Sequence, residues 1–184
     1  MSNVIRVLHQ EHTNLGKLLK VLERRVAALG SAEASDLELI RDVLEYCLHY
    51  PSEVHHPKED QVLAALRARD PKAAEPVKDL EAEHEELKRL TVDVAAKIDN
   101  ALSDAPVSKD DIREAAAAFI ETYWRHMTME EDEFFPIALK TLTDEDWQAI
   151  DAKISDPVDP LFSEQAADKY ARLRYEIFKA DAAS

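Results

Sequence analysis

Residues 119–136 read FIETYWRHMTMEEDEFFP and residues 52–60 read SEVHHPKED. In each stretch a histidine is followed four positions on by a glutamate, His126 by Glu130 and His55 by Glu59. That spacing is close to one helical turn, so on a helix each pair stands on a single face. Working outward, His12 precedes His55 by 43 residues and His84 precedes His126 by 42. The neighbours match too, Glu11-His12 with Glu83-His84, so the chain repeats a helical hairpin and each long helix brings one anchor. The pattern predicts an all-α fold, a four-helix bundle with a C-terminal helical extension. Composition agrees, because only two glycines interrupt a chain of 184 residues, too few for a sheet with its many turns.

Apolar residues recur at helical spacing from Val4 to Leu29, with Gly30 as the expected C-cap. Ser35 opens a second helix running to Arg69, interrupted at Pro51 and Pro57, where backbone hydrogen bonds are lost. Asp70-Pro71 reads as a cap with a first-turn proline, leading into a third helix patterned from Val77 to Ile98. A loop from Ala101 to Val107 follows. Ser108, with Asp111 three positions on, caps a fourth helix reaching Leu139 and bent by Pro136. The bundle is thus expected over 1–142. In 143–184, Thr143 caps a short helix, and Pro157 and Pro160 separate it from an amphipathic tail starting near Ser163. Those last 42 residues hold no histidine and are expected to pack on the bundle as a lid or a homodimer-forming extension.

Charge and composition exclude several functions. A formal charge of -15 repels nucleic acid and anionic membrane surfaces. No apolar run approaches the roughly 20 residues that span a bilayer. The single cysteine, Cys47, cannot form an intramolecular disulfide, and the start MSNVIRVLHQEH lacks the apolar core of a secretory signal, so a cytoplasmic location is expected.

The repeated pairs suit two metal ions in the bundle core. Imidazole nitrogen favours iron, copper or zinc, carboxylates bridge cations and offset their charge, and the mixed set favours iron. The candidate ligands are His12, His55, Glu59, His84, His126 and Glu130. His56 is a further candidate, since His56-x-x-x-Asp60 has the same spacing on a face rotated by about 100°. Glu81, one turn before His84, is the expected support for an imidazole. Tyr50 and Tyr123 are expected to be packing residues, and His9 and His49 solvated or core residues.

These motifs resemble the hemerythrin-like family, the histidine-histidine-glutamate cation-binding bundles, over roughly residues 4 to 140. The resemblance implies a non-haem di-iron centre, oxo- or hydroxo-bridged, in an up-down bundle. Its ligands carry over onto His12, His55, Glu59, His84, His126 and Glu130, with both glutamates bridging. It implies small ligands (oxygen, peroxide or nitric oxide) and a role in redox or stress response. Two departures stand out. Oxygen-carrying members have a second histidine one turn before the third-helix ligand, where this chain has Leu80. Their last pair is also spaced His-x-x-x-x-Asp, whereas His126 and Glu130 are one residue closer, as in bacterial relatives linked to nitric-oxide stress and repair of iron centres.

Two other readings compete. A ferritin-like iron-handling bundle would use Glu53-x-x-His56 and Glu81-x-x-His84. A metal-free acidic interaction protein would use its histidines to alter a partner interface near neutral pH. A zinc hydrolase is disfavoured, because no His-Glu-x-x-His pair is present.

Overall fold

The computed structural model describes residues 3–29, 34–154, 159–163 and 168–181. Every regular element among them is helical, with no strand. Helix α1 (Asn3–Ala27) has the predicted apolar stripe, with Leu8, Leu15, Leu18, Leu19 and Leu22 buried. The expected Gly30 cap lies outside the described residues. Helix α2 (Ala34–Tyr50) runs through one wide π-helical turn, Pro51–His55, into α3 (His56–Arg69). The predicted interruption therefore takes a definite form. The N–H of His56 reaches back to the carbonyl of Pro51, widening the turn just before Pro57, whose ring needs room at the preceding turn.

The third helix starts later than the sequence suggested. Asp70 does not open it; its carboxylate accepts the backbone N–H groups of Lys72 and Ala73 and makes a local turn. A short 3₁₀ turn, Glu75–Val77, follows, and α4 spans Leu80–Leu102. Asp104, at φ 56°, turns the chain back. Ser108 then caps α5 (Lys109–Met129), accepting from the N–H groups of Asp110 and Asp111. A second π turn, Glu130–Phe134, carries α5 into α6 (Phe135–Thr141) across Pro136.

Two separate apolar clusters pack the bundle. One gathers Leu18, Leu22, Leu39, Val43, Leu87, Val94 and Phe119. The other gathers Ile5, Leu8, Leu63, Leu66, Leu80 and Phe134. Each fully buried aliphatic or aromatic side chain contributes about 1.5–3 kcal/mol, so both clusters stiffen the helices around the polar site. At Gly16, α1 and α5 approach closely: a Cβ there would lie 3.2 Å from the Trp124 ring.

The C-terminal segments pack on the bundle. Helix α7 (Asp144–Asp151) begins with a reciprocal Thr143–Asp146 capping box, and Arg69 clamps Asp146 at 2.7 Å. Its Trp147 and Ile150 join the second cluster. Beyond a 3₁₀ turn at Asp168–Tyr170, α8 (Ala171–Asp181) lies against α1 and α2, with Leu173 and Ile177 buried in the first cluster. Pro157 and residues 164–167, the start of the expected tail, lie outside the described residues. No described helix is long and apolar enough to cross a membrane.

Candidate metal centre

Helical spacing carries the predicted ligands into one buried spot. His12, His55, Glu59, His84, His126 and Glu130 are each no more than 7% exposed, and Glu59 and Glu130 are fully buried. Glu59 lies between the two halves. Its Oε1 is 3.4 Å from His12 Nε2 and 3.3 Å from His55 Nε2, and its Oε2 is 3.4 Å from His84 Nε2. Glu130 does the same from the opposite side, with Oε2 3.2 Å from His12 Nε2 and Oε1 3.1 Å from His126 Nε2 and 3.6 Å from His84 Nε2. Each carboxylate thus offers one oxygen to each side of the centre.

These atoms are close without being hydrogen bonded. Eight buried atoms lack a partner: the Nε2 of His12, His56, His84 and His126, and both oxygens of Glu59 and Glu130. Buried polar groups without hydrogen bonds at this density are costly, because their mutual attraction only partly replaces the lost water. A cation bound by nitrogen and oxygen at about 2.0–2.2 Å sets its neighbouring ligand atoms about 3 Å apart, which is the spacing found. The residues therefore fit a metal, and they divide into two groups, His12, His55 and Glu59, and His56, Glu59, His84 and His126, each within 4.8 Å.

A carboxylate backs each of four imidazoles. His12 Nδ1 is 2.7 Å from Glu131, His55 Nδ1 2.8 Å from Glu11, His84 Nδ1 3.0 Å from Asp60 and His126 Nδ1 3.0 Å from Glu83. An ionised carboxylate only accepts, so each Nδ1 carries a proton and donates it, leaving Nε2 for a metal. The arrangement repeats with the hairpins. Glu11 and Glu83 each precede a buried histidine, His12 and His84, and support the histidine of their own hairpin, while Asp60 and Glu131 each follow a buried glutamate, Glu59 and Glu130, and support a histidine across the bundle. Sequence reasoning missed this set, although an acidic residue beside each of His12, Glu59, His84 and Glu130 was its visible trace. The expected support, Glu81, is instead on the surface, paired with Arg67. Asp60, four residues after His56, stands behind His84.

His56 enters the site together with His55. It is 4% exposed, and its ring stacks on His84 at 4.1 Å and 5°. The π turn makes this possible, since a wider turn brings two successive histidines inward. Leu80 is buried in the second apolar cluster, so His56 reaches the same imidazole group from another helix. Burial and the neighbouring rings of His84, His55 and His126 hold His56 well below the ordinary histidine range, as an uncharged imidazole.

The other imidazoles respond to the carboxylates. Burial opposes their protonation, but Glu130, Glu131 and Glu59 raise His12 to about 12, Asp60, Glu130 and Glu59 raise His84 to about 11, and Glu130 with Glu83 raises His126 to about 9. Burial pushes Glu59 and Glu130 upward, and the surrounding histidines outweigh it and lower both. Metal entry must therefore displace protons.

Tyr50, expected only to pack, donates its hydroxyl to Glu11 at 2.9 Å, and the buried Lys58 contacts the same carboxylate at 2.6 Å. The Tyr123 hydroxyl is buried with no partner. His9 and His49 are partly exposed and paired with Glu131 and Glu53, outside the centre. With Glu53 and Glu81 both on the surface, the ferritin-like pairing has no geometric basis.

A family model described as the hemerythrin HHE cation binding domain matches residues 3–138. No curated protein and no solved structure matches the chain.

Proposed function

The chain belongs to the hemerythrin HHE cation-binding family, and on that premise we propose that it holds two iron ions side by side and reacts with oxygen, peroxide or nitric oxide in a cytoplasmic redox or stress response. His12 and His55 would hold the first ion, His84, His126 and His56 the second, and Glu59 and Glu130 would offer one oxygen to each. The observation that carries the reading is the convergence of eight unpartnered buried atoms on one point. When bound, the irons supply Fe(II)/Fe(III) redox change and open coordination positions for small ligands. The chain's own residues do the rest. Bridging glutamates offset the ionic charge, the four supporting carboxylates fix each imidazole tautomer, and the two apolar clusters wall the site from bulk water.

The first position has fewer imidazoles, and a groove borders it. A groove of about 430 Å³ between α1 and α5, lined by His9, His12, Trp124, Met127 and Glu131 among others, opens on its His12 side. Small ligands enter there in this reading.

Elemental analysis is the first test, with about two irons per chain expected after anaerobic loading with Fe(II). Air should then produce ferric near-ultraviolet absorption that azide or nitric oxide perturbs and that only a reductant reverses. Protein that takes up no metal overturns the reading. Recovery by degassing alone would replace redox reactivity with reversible oxygen carriage, with His56 standing in for the histidine absent at Leu80.

A further inference from the structure

A file of tyrosines leads from the centre to the C-terminal segment. Tyr50 donates its hydroxyl to Glu11 at 2.9 Å, and Glu11 holds His55 at 2.8 Å, so the phenol is two hydrogen bonds from a metal-facing imidazole. Its ring stacks on Tyr46, with centroids 5.6 Å apart and planes at 19°. Tyr46 is 1% exposed and donates its own hydroxyl to Asp159 at 3.1 Å. Each phenol therefore donates to a carboxylate, Tyr46 to Asp159 and Tyr50 to Glu11, which also takes Lys58 and His55. This matters because a phenol that loses an electron becomes a very strong acid, and its oxidation is easy only where a base takes the proton. Tyr123 provides the contrast. It also approaches the site, 6.4 Å from the His126 ring, but its buried hydroxyl has no acceptor. Tyr170 touches Tyr46 edge-on at 5.8 Å, yet the Lys169 ammonium sits over its ring at 4.6 Å, and a cation there opposes removal of an electron.

We infer that Tyr50 and Tyr46 form an electron relay that carries oxidising equivalents out of the iron site and leaves them on Tyr46, beside Asp159. The inference rests on the iron and peroxide reading above. Hydrogen peroxide leaves as two waters, taking two electrons and two solvent protons. One electron comes from a ferrous ion and the other from Tyr50, whose phenolic proton moves to Glu11. Tyr50 then recovers an electron from Tyr46 and its proton from Glu11, while the Tyr46 proton passes to Asp159. The net products are two waters, one ferric ion, a Tyr46 phenoxyl radical and protonated Asp159. Such a relay spares the ligand histidines from oxidation, and it gives the C-terminal segment a chemical task, since Asp159 belongs to it.

The test is freeze-quenched electron paramagnetic resonance on protein loaded anaerobically with Fe(II), assayed for iron, then mixed with hydrogen peroxide. A narrow tyrosyl signal is expected in the unaltered protein. Tyr46→Phe and Tyr50→Phe keep the rings and remove the hydroxyls, and each should cut the signal per bound iron several-fold. Tyr123→Phe and the exposed Tyr175→Phe should retain it. Peptide mass spectrometry should find the oxidation product on Tyr46. A signal per iron that survives both Tyr46→Phe and Tyr50→Phe, or that vanishes in Tyr123→Phe alone, overturns the relay. Iron-loaded protein with its ferric absorption and no tyrosyl signal overturns the relay and leaves the iron reading intact. Failure to take up iron at all overturns both.

Discussion

The two helical hairpins present one ligand pattern on unequal supports. In the first, the wide turn Pro51–His55 precedes the His55–Glu59 pair and brings in His56; in the second, the wide turn Glu130–Phe134 begins at Glu130 and brings in no further histidine, only Glu131 behind His12. Glu11, behind His55, is sealed in the interior by Tyr50 and Lys58, the Lys58 side chain being 2% exposed. Its counterpart Glu83, behind His126, is 32% exposed. Met129 occupies the position matching Lys58. The same two-anchor code is thus compatible with one buried, charge-compensated support and one wet support. The difference teaches that ligand identity is set along the helix, while ligand rigidity is set across the bundle.

The strongest way to break this comparison is to remove what the halves share. Glu59→Ala should abolish binding of both metals, because Glu59 faces His12, His55 and His84. His55→Ala and His56→Ala should each lose mainly one metal, from the first and second positions respectively, and elemental analysis separates these outcomes. Two tightly held irons in His56→Ala would return the positions to equal standing.

Next in size is the contrast in support. Glu11→Ala strands the buried Lys58 and should cost about 3 kcal/mol in urea unfolding of the metal-free protein. Glu83→Ala removes a partly solvated partner and should cost under about 1 kcal/mol. Equal costs would show that burial of the first support carries no weight.

A pH series sharpens the comparison further. His12, His84 and His126 are raised in the metal-free fold above their ordinary 6.5, to about 12, 11 and 9. A raised histidine stabilises fully below its unfolded value and loses that contribution as pH climbs through the folded one. The melting temperature of the metal-free protein, other groups apart, should therefore fall between about pH 6.5 and 10, with His126 the first of the three to release its proton. Iron uptake should strengthen over the same interval, and a calorimetric titration in two buffers of different ionisation enthalpy would count the released protons. Uptake that is independent of pH would contradict the proton-held centre.

The smallest expected effect concerns the prolines. Pro57→Ala relaxes the need for the wide turn that aims His56 and should weaken the second metal several-fold. Pro136→Ala, beyond the last ligand, should leave both metals in place. Competition with a chelator measures both.

The convergence of His12, His55, Glu59, His84, His126 and Glu130 was legible in the sequence because helical spacing is local: His and Glu four apart share a face whatever surrounds them. His56 was ambiguous because that geometry assumes a regular turn, and the π turn at Pro51–His55 changes the rotation per residue. Glu81 misled for a related reason. Along its own helix it is well placed, but the support for His84 comes from Asp60 across the bundle, and separations across a bundle are not written in spacing. The third helix began late because Asp70 satisfied neighbouring N–H groups in a turn, an outcome that the same cap-like residues also permit. Ser108 and Thr143 cap as expected, since their partners lie within three residues.

His56 carries one more consequence. Its imidazole comes from the first hairpin but stacks on His84 of the second, so the second position is complete only once the two hairpins have docked. In the proposed centre, occupancy there would work as a logical AND: it would require metal and assembled architecture together, and a chain with its hairpins apart could not fill it however much iron is supplied.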